Sequence, residues 1–194
     1  NSRRKEFSKW MTYSSLLQFI CTNAVSIFSA LILPLSEIGV LRLAQTFVGL
    51  FNPLLAYLDN HIRIYFSRIL SAEGQEKLES SFRSFKIKFL FLSLPGMLIL
   101  GFVGTFLIKI FYPEFSESNL INYFILYLIL MMITMTTFIL RLKYLVLEKT
   151  NLIFKTYFIG AAVSAILFYP VILYFNGYGV ILTPLAAHSV MLFS

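Results

Sequence analysis

Six apolar stretches, separated by short polar connections, occupy most of this sequence: Met11 to Leu33, Ile38 to Ile64, Phe89 to Phe111, Leu120 to Leu140, Leu152 to Phe175, and Val180 to the end. Each of the first five is long enough to cross about 30 Å of hydrocarbon as a helix rising ~1.5 Å per residue. The sixth runs only from Val180 to Ser194 and has no polar flank after it. Composition agrees: 13% of the residues are charged, against about 25% in soluble domains. The expected fold is therefore an all-α polytopic membrane protein, with residues 1–194 forming one transmembrane bundle and 71–88 a cytoplasmic connection. The chain opens on Asn1 with a charged run in place of a signal peptide, and it stops inside its last apolar stretch, so it is expected to be a piece of a longer protein.

The net charge of +7 matters less than its placement. Arg3, Arg4, Lys5 and Lys9 precede the first span, followed by Trp10 at the expected interface. Six more Lys and Arg follow the second span, from Arg63 to Lys88, and Arg141, Lys143, Lys149 and Lys155 follow the fourth. The other side carries only Arg42 and Lys109. Fourteen basic residues against two orient the chain with its N-terminal end cytoplasmic. That bias accounts for the basic balance without a nucleic-acid partner.

Within the second stretch, Arg42, Gln45, Thr46, Gly49, Asn52, Ala56, Asp59, Asn60, Arg63 and Ser67 recur at steps of three and four. On one continuous helix from Glu37 to Leu70 they share an arc of roughly 140°. Ionisable groups are costly in hydrocarbon and usually face a bundle interior or a watery cavity, so this face is expected to wall a polar cavity. Asp59 and Arg63, four apart, are also placed to neutralise each other. Asn52-Pro53 removes a backbone hydrogen bond in mid-span and is expected to kink or loosen the helix.

The first span carries a second stripe, Ser15, Gln18, Thr22, Ser26 and Ser29, within about 80°. Its small hydroxyl residues suit close helix packing, whereas Gln18 and Asn23 are the better candidates to touch solute. Pro34 ends that span, and the two stripes are placed to face each other or a common cavity. Thr134, Thr136, Thr137, Arg141 and Lys143 lie near the inner end of the fourth span, where Arg141 has two readings: ordinary snorkelling, or contact with an anionic head group. Gly160, Ala161, Ala162, Ser164 and Ala165 form a small-residue packing patch in the fifth. His188, alone in the last segment, and Asp59 are the candidates for proton or ion coupling.

His61, His188 and Cys21 stand at no recognised metal spacing, and no phosphate loop, nucleophile elbow or HExxH motif occurs. The outward connections are short turns, too small for the loop a polysaccharide polymerase or ligase would need. Catalysis, a metal and a cofactor are not expected. With one cysteine, no intramolecular disulfide can form.

The run IGVLRLAQTFVGLFNPLLAYLDN, Ile38 to Asn60, resembles the start of the second helical half of bacterial polysaccharide-biosynthesis flippases, the Wzx-type O-antigen and capsule transporters of the multidrug/oligosaccharidyl-lipid/polysaccharide superfamily. The preceding KWMTYSSLLQFICTNAVSIFSALILPLSEIGV is similar to them too, with its tryptophan at the cytoplasmic end and Gly39 at the turn-to-helix junction. The resemblance implies a MATE-like architecture of two six-helix bundles facing across a central cavity in the bacterial inner membrane. This chain would supply the second bundle, and a missing N-terminal six-helix half the first.

The implied task is to carry an undecaprenyl-pyrophosphate-linked oligosaccharide to the outer leaflet by alternating access. Arg42, Gln45, Asn52, Asp59, Asn60, Arg63, Gln18 and Asn23 would line the substrate cavity and offset dehydration of the pyrophosphate and sugars. Membrane lipids, a polysaccharide polymerase and its chain-length machinery are the implied neighbours. Two other readings stay open: half of a multidrug/cation antiporter of the same fold, and a non-transporting scaffold of a polysaccharide assembly complex.

Overall fold

The computed structural model describes residues 2–50, 52–113 and 119–193. Every element in them is helical, with no strand among the described residues. Helix α1 begins as Ser2–Phe19 and continues through a π-turn at Ile20–Ala24, a helical turn at Val25–Phe28 and a 3-10 turn at Ser29–Leu31. Helix α2 is Leu35–Gly49. The segment Asn52–Phe111 is two helices meeting at Gly74, named here α3 (52–73) and α4 (75–111). Helices α5 (Leu120–Val146), α6 (Thr150–Phe175) and α7 (Gly177–Phe193) complete the chain.

Among the described residues, four helical stretches are long and apolar enough to cross a membrane, one in each of Lys5–Leu31, Asp59–Phe111, Leu120–Val146 and Thr150–Phe175. Helix α7 is shorter, and its 17 residues reach about 25 Å at 1.5 Å per residue.

The continuous helix expected from Glu37 to Leu70 is not formed. Helix α2 stops at Gly49 and α3 starts at Asn52, with Pro53 in the first turn. Proline has no N–H and its ring clashes with the carbonyl four residues back, which here belongs to Gly49. In the first turn of a new helix that N–H would have no partner anyway. The break therefore replaces the expected kink, and Phe51 lies outside the described residues. The polar stretch 71–88 is helical except at Gly74, whose φ of 83° and ψ of −175° fall in a region essentially open only to glycine.

Helix α5 is the centre of the bundle. Helices α2 and α4 pack on it from one side and α7 from another, while α1 packs along α6 and α6 along α7. One core joins the α1–α2 turn, α2 and α4 to the first half of α5: Leu33, Leu41, Ala44, Ile108, Tyr123 and Phe124 are buried together. A second core closes the α3–α4 hairpin, with Phe66 against Phe82 at 5.2 Å between ring centres and Ile139 of α5 beneath. The third holds α1 to α6 and α7 through Cys21, Ile153, Tyr157 and Met191.

Helices α1 and α2 meet chiefly at the turn that joins them and then separate, one to α6 and the other to α5. They do not form the paired hairpin that two facing stripes would need. Trp10, expected at an interface, packs on Phe154 of α6 at 4.9 Å. The outer faces of α4 and α6 stay apolar and uncovered, with Phe91, Leu92, Leu98, Phe102 and Ile166 exposed. Such faces are stable only against lipid or another apolar surface.

Candidate functional site

The stripe stays uncovered on both sides of the helix end at Gly49, and Tyr57, Ile64 and Tyr65 of α3 are exposed with it. Arg42, Thr46, Asn52, Asn60, Arg63 and Ser67 are exposed, and Gln45 and Asp59 are half-buried. They lie on the outside of this bundle instead of around a cavity within it. Arg42 Nη1 donates to Gln45 Oε1 at 2.9 Å, and the Thr46 hydroxyl donates to the Arg42 carbonyl at 2.8 Å. The guanidinium is thus held on its own helix by one half-buried neutral partner.

Asp59 and Arg63 form no ion pair, and Asp59 Oδ1 is covered from solvent without a hydrogen-bond partner among the described residues. The mutual neutralisation their spacing allowed is not made. A covered carboxylate oxygen left without a hydrogen bond is costly. His61 stacks instead on Tyr57, with ring centres 4.1 Å apart.

On α1 the hydroxyl stripe satisfies itself. Ser15 donates to the Met11 carbonyl at 3.0 Å, Thr22 to Gln18 at 2.9 Å and Ser29 to Ser26 at 2.8 Å. Among them only Ser29 is buried. Gln18 is half-buried and Asn23 exposed, and Asn23 sits in the π-turn Ile20–Ala24. Single π-turns inside helices often mark functional positions, since the widened turn frees a carbonyl and re-aims side chains. The sequence carried no sign of it.

His188 is not near the stripe. It is buried among α5, α6 and α7, with Nδ1 3.3 Å from Thr137 Oγ1 and Nε2 without a hydrogen-bond partner among the described residues. Ser164, also buried, likewise leaves its hydroxyl unpartnered. Helices α6 and α7 run antiparallel, since a side chain at Gly160 would meet Met191 and one at Gly179 would meet Ile172. That register puts Ser164 level with Ala187 and His188. The two candidate coupling residues, His188 and Asp59, are on different elements, and no hydrogen bond or ion pair joins them among the described residues.

Two features lie away from both polar stripes. Glu37 Oε1 accepts hydrogen bonds from the Tyr123 hydroxyl at 2.7 Å and from Gly177 N–H at 2.9 Å, joining the starts of α2, α5 and α7. Beside it Tyr178 donates to Asn119 Oδ1 at 3.0 Å. The other is a cavity of about 150 Å³ between α5, α6 and α7, into which Arg141 turns. The only sequence clue to Glu37 was its place in a helix's first turn.

No family model, no curated protein and no solved structure matches this chain.

Proposed function

We propose that this bundle is one half of a transporter that moves a lipid-linked, pyrophosphate-bearing oligosaccharide across the bacterial inner membrane. The observation that carries the reading is the uncovered stripe on α2 and α3. Arg42, Asn52, Asn60 and Arg63 are exposed on a bundle whose outer faces on α4 and α6 are apolar. Charged and amide side chains at membrane depth need water, substrate or a second polar surface beside them. A facing bundle that encloses a wet cavity provides all three.

In this reading α1 is the first crossing, α2 with the start of α3 the second, and α4 to α7 the third to sixth, with the N-terminal end cytoplasmic. The resemblance of Ile38–Asn60 to polysaccharide flippases supplies the substrate class. Arg42 and Arg63 offer cationic donors suited to a pyrophosphate, and Gln45, Asn52 and Asn60 offer amides suited to sugar hydroxyls. Gln18 and Asn23 of α1 extend the same polar lining.

The test follows radiolabelled lipid-linked oligosaccharide in cells deleted for the full-length parent gene, complemented with wild type or Arg42→Ala at matched membrane levels. The expected result is accumulation on the inner leaflet that wild type clears and Arg42→Ala does not. Because Arg42 is exposed, its loss leaves stability within about 0.5 kcal/mol. Normal lipid intermediates with a new sensitivity to cationic drugs would overturn the substrate and point to an antiporter. Full activity of Arg42→Ala and Asp59→Asn would favour the scaffold.

A further inference from the structure

The cavity between α5, α6 and α7 is built from one face of each helix. Thr137, Leu140, Arg141 and Tyr144 follow at the steps of three and four that align side chains on α5. Ile153, Thr156 and Tyr157 do the same on α6, and Met191 and Leu192 close the cavity from α7. Its volume of about 150 Å³ compares with about 30 Å³ for a water molecule in the liquid, so a small anion and some of its water fit together.

Arg141 is half-buried on the inward face of α5 and lies within interaction distance of the Tyr157 phenol. A snorkelling arginine would instead run outward along the lipid face. Among the described residues its guanidinium has no carboxylate partner. The ion pairs there are Lys77 with Glu73 at 3.8 Å and Lys143 with Glu79 at 3.9 Å. Thr156 spends its hydroxyl proton on the Leu152 carbonyl at 3.0 Å, a bond it can exchange for a better acceptor. A cavity with one unneutralised cation and hydroxyls from Thr156, Tyr144 and Tyr157 lacks one thing, a compact oxyanion.

We propose that this cavity binds a single phosphate group, with the Arg141 guanidinium donating to two of its oxygens and Thr156 and Tyr157 to the others. Arginine's planar fork matches phosphate geometry, and such charge-assisted bonds are about twice as strong as neutral ones. Arg141 stands five residues before the end of α5, about 8 Å at 1.5 Å per residue. That is the depth at which head groups meet acyl chains. The phosphate is therefore either the head group of an anionic lipid or a soluble phosphate admitted from the loop side. The site is separate from the stripe on α2 and α3 and stands whether or not the transport reading does.

The test is native mass spectrometry of the purified full chain, titrated with phosphatidylglycerol in one arm and inorganic phosphate in the other, with acetate as control anion. One saturable adduct is expected, weakened about tenfold by Arg141→Gln and unchanged by Lys143→Gln. Saturation in the lipid arm alone identifies a head-group site, and saturation by inorganic phosphate identifies a soluble ligand. An adduct that acetate displaces equally, that Arg141→Gln leaves intact, or that Lys143→Gln weakens as much overturns the proposal, as does no saturable adduct at all. Should Arg141→Gln not fold, Thr156→Val decides: it keeps the charge, so about threefold weaker binding with unchanged melting supports the site, and unchanged affinity overturns it.

Discussion

The Glu37 carboxylate accepts a 2.7 Å hydrogen bond from the Tyr123 hydroxyl, 86 residues away in sequence. The same oxygen receives the N–H of Gly177, the first residue of α7. The first-turn N–H groups of a helix have no partner inside it, and the helix dipole favours negative charge there. Glu37 therefore caps α7 from another helix while it holds α5. Removing it strands two donors, one of them on a buried tyrosine.

Glu37→Ala is expected to cost about 2–3 kcal/mol, the range for losing bonds to a charged acceptor and leaving donors unmet. Glu37→Gln keeps an acceptor in place and is expected to cost about 1 kcal/mol. Thermal or denaturant unfolding of the detergent-solubilised protein measures both. Equal effects would mean that the charge at the start of α7 contributes nothing.

Two glycines make opposite demands on their neighbours. A methyl group at Gly160 would collide with Met191, and one at Gly177 with the Tyr123 hydroxyl and Glu37 Oε1. Methionine has three rotatable bonds and can move aside, whereas Tyr123 and Glu37 are held by their mutual bond. Gly177→Ala is therefore expected to cost about 2 kcal/mol more than Gly160→Ala, in line with overpacking at a rigid site. Melting of the two variants side by side checks the order, and the reverse order would show that the carboxylate–tyrosine pair is the softer neighbour.

The α3–α4 hairpin turns on one residue. Gly74 adopts φ 83°, ψ −175°, and an added side chain meets nothing within 4 Å, so any penalty there is purely conformational. Gly74→Ala is expected to cost about 1–3 kcal/mol and to loosen the pairing of Phe66 with Phe82. Spin labels at exposed Ser71 and Gln75 report the angle between the helices. A distance distribution as narrow as wild type's would sink this expectation.

The resemblance and the Lys and Arg count came from the sequence alone, and so did the reading of apolar stretches as helices. Breaks were legible where backbone chemistry is local: Pro53 marks one because the missing N–H lies in the sequence itself, and the helix ends before it where a kink or loosening was expected. The stripe was also legible, since spacing decides which residues share a face. That the stripe would lie on the outside of the bundle was not, because a wheel shows which residues sit together and not what stands opposite them.

Tertiary structure alone decided which apolar helix is central. The most apolar stretches of α5 and α6 have mean hydropathies of 2.2 and 2.1, yet 44% of the first is buried and 22% of the second. Lipid and protein interior are equally apolar, so hydrophobicity cannot say which face meets a neighbouring helix. Polar pairing and shape make that choice: Glu37 with Tyr123 and Gly177, and Gly160 against Met191. The sequence by itself determined helices suited to a membrane and a polar face that needs cover. Contacts between residues far apart in the sequence, 86 and 140 positions for the two made by Glu37, are invisible to any local pattern and decided how those helices join.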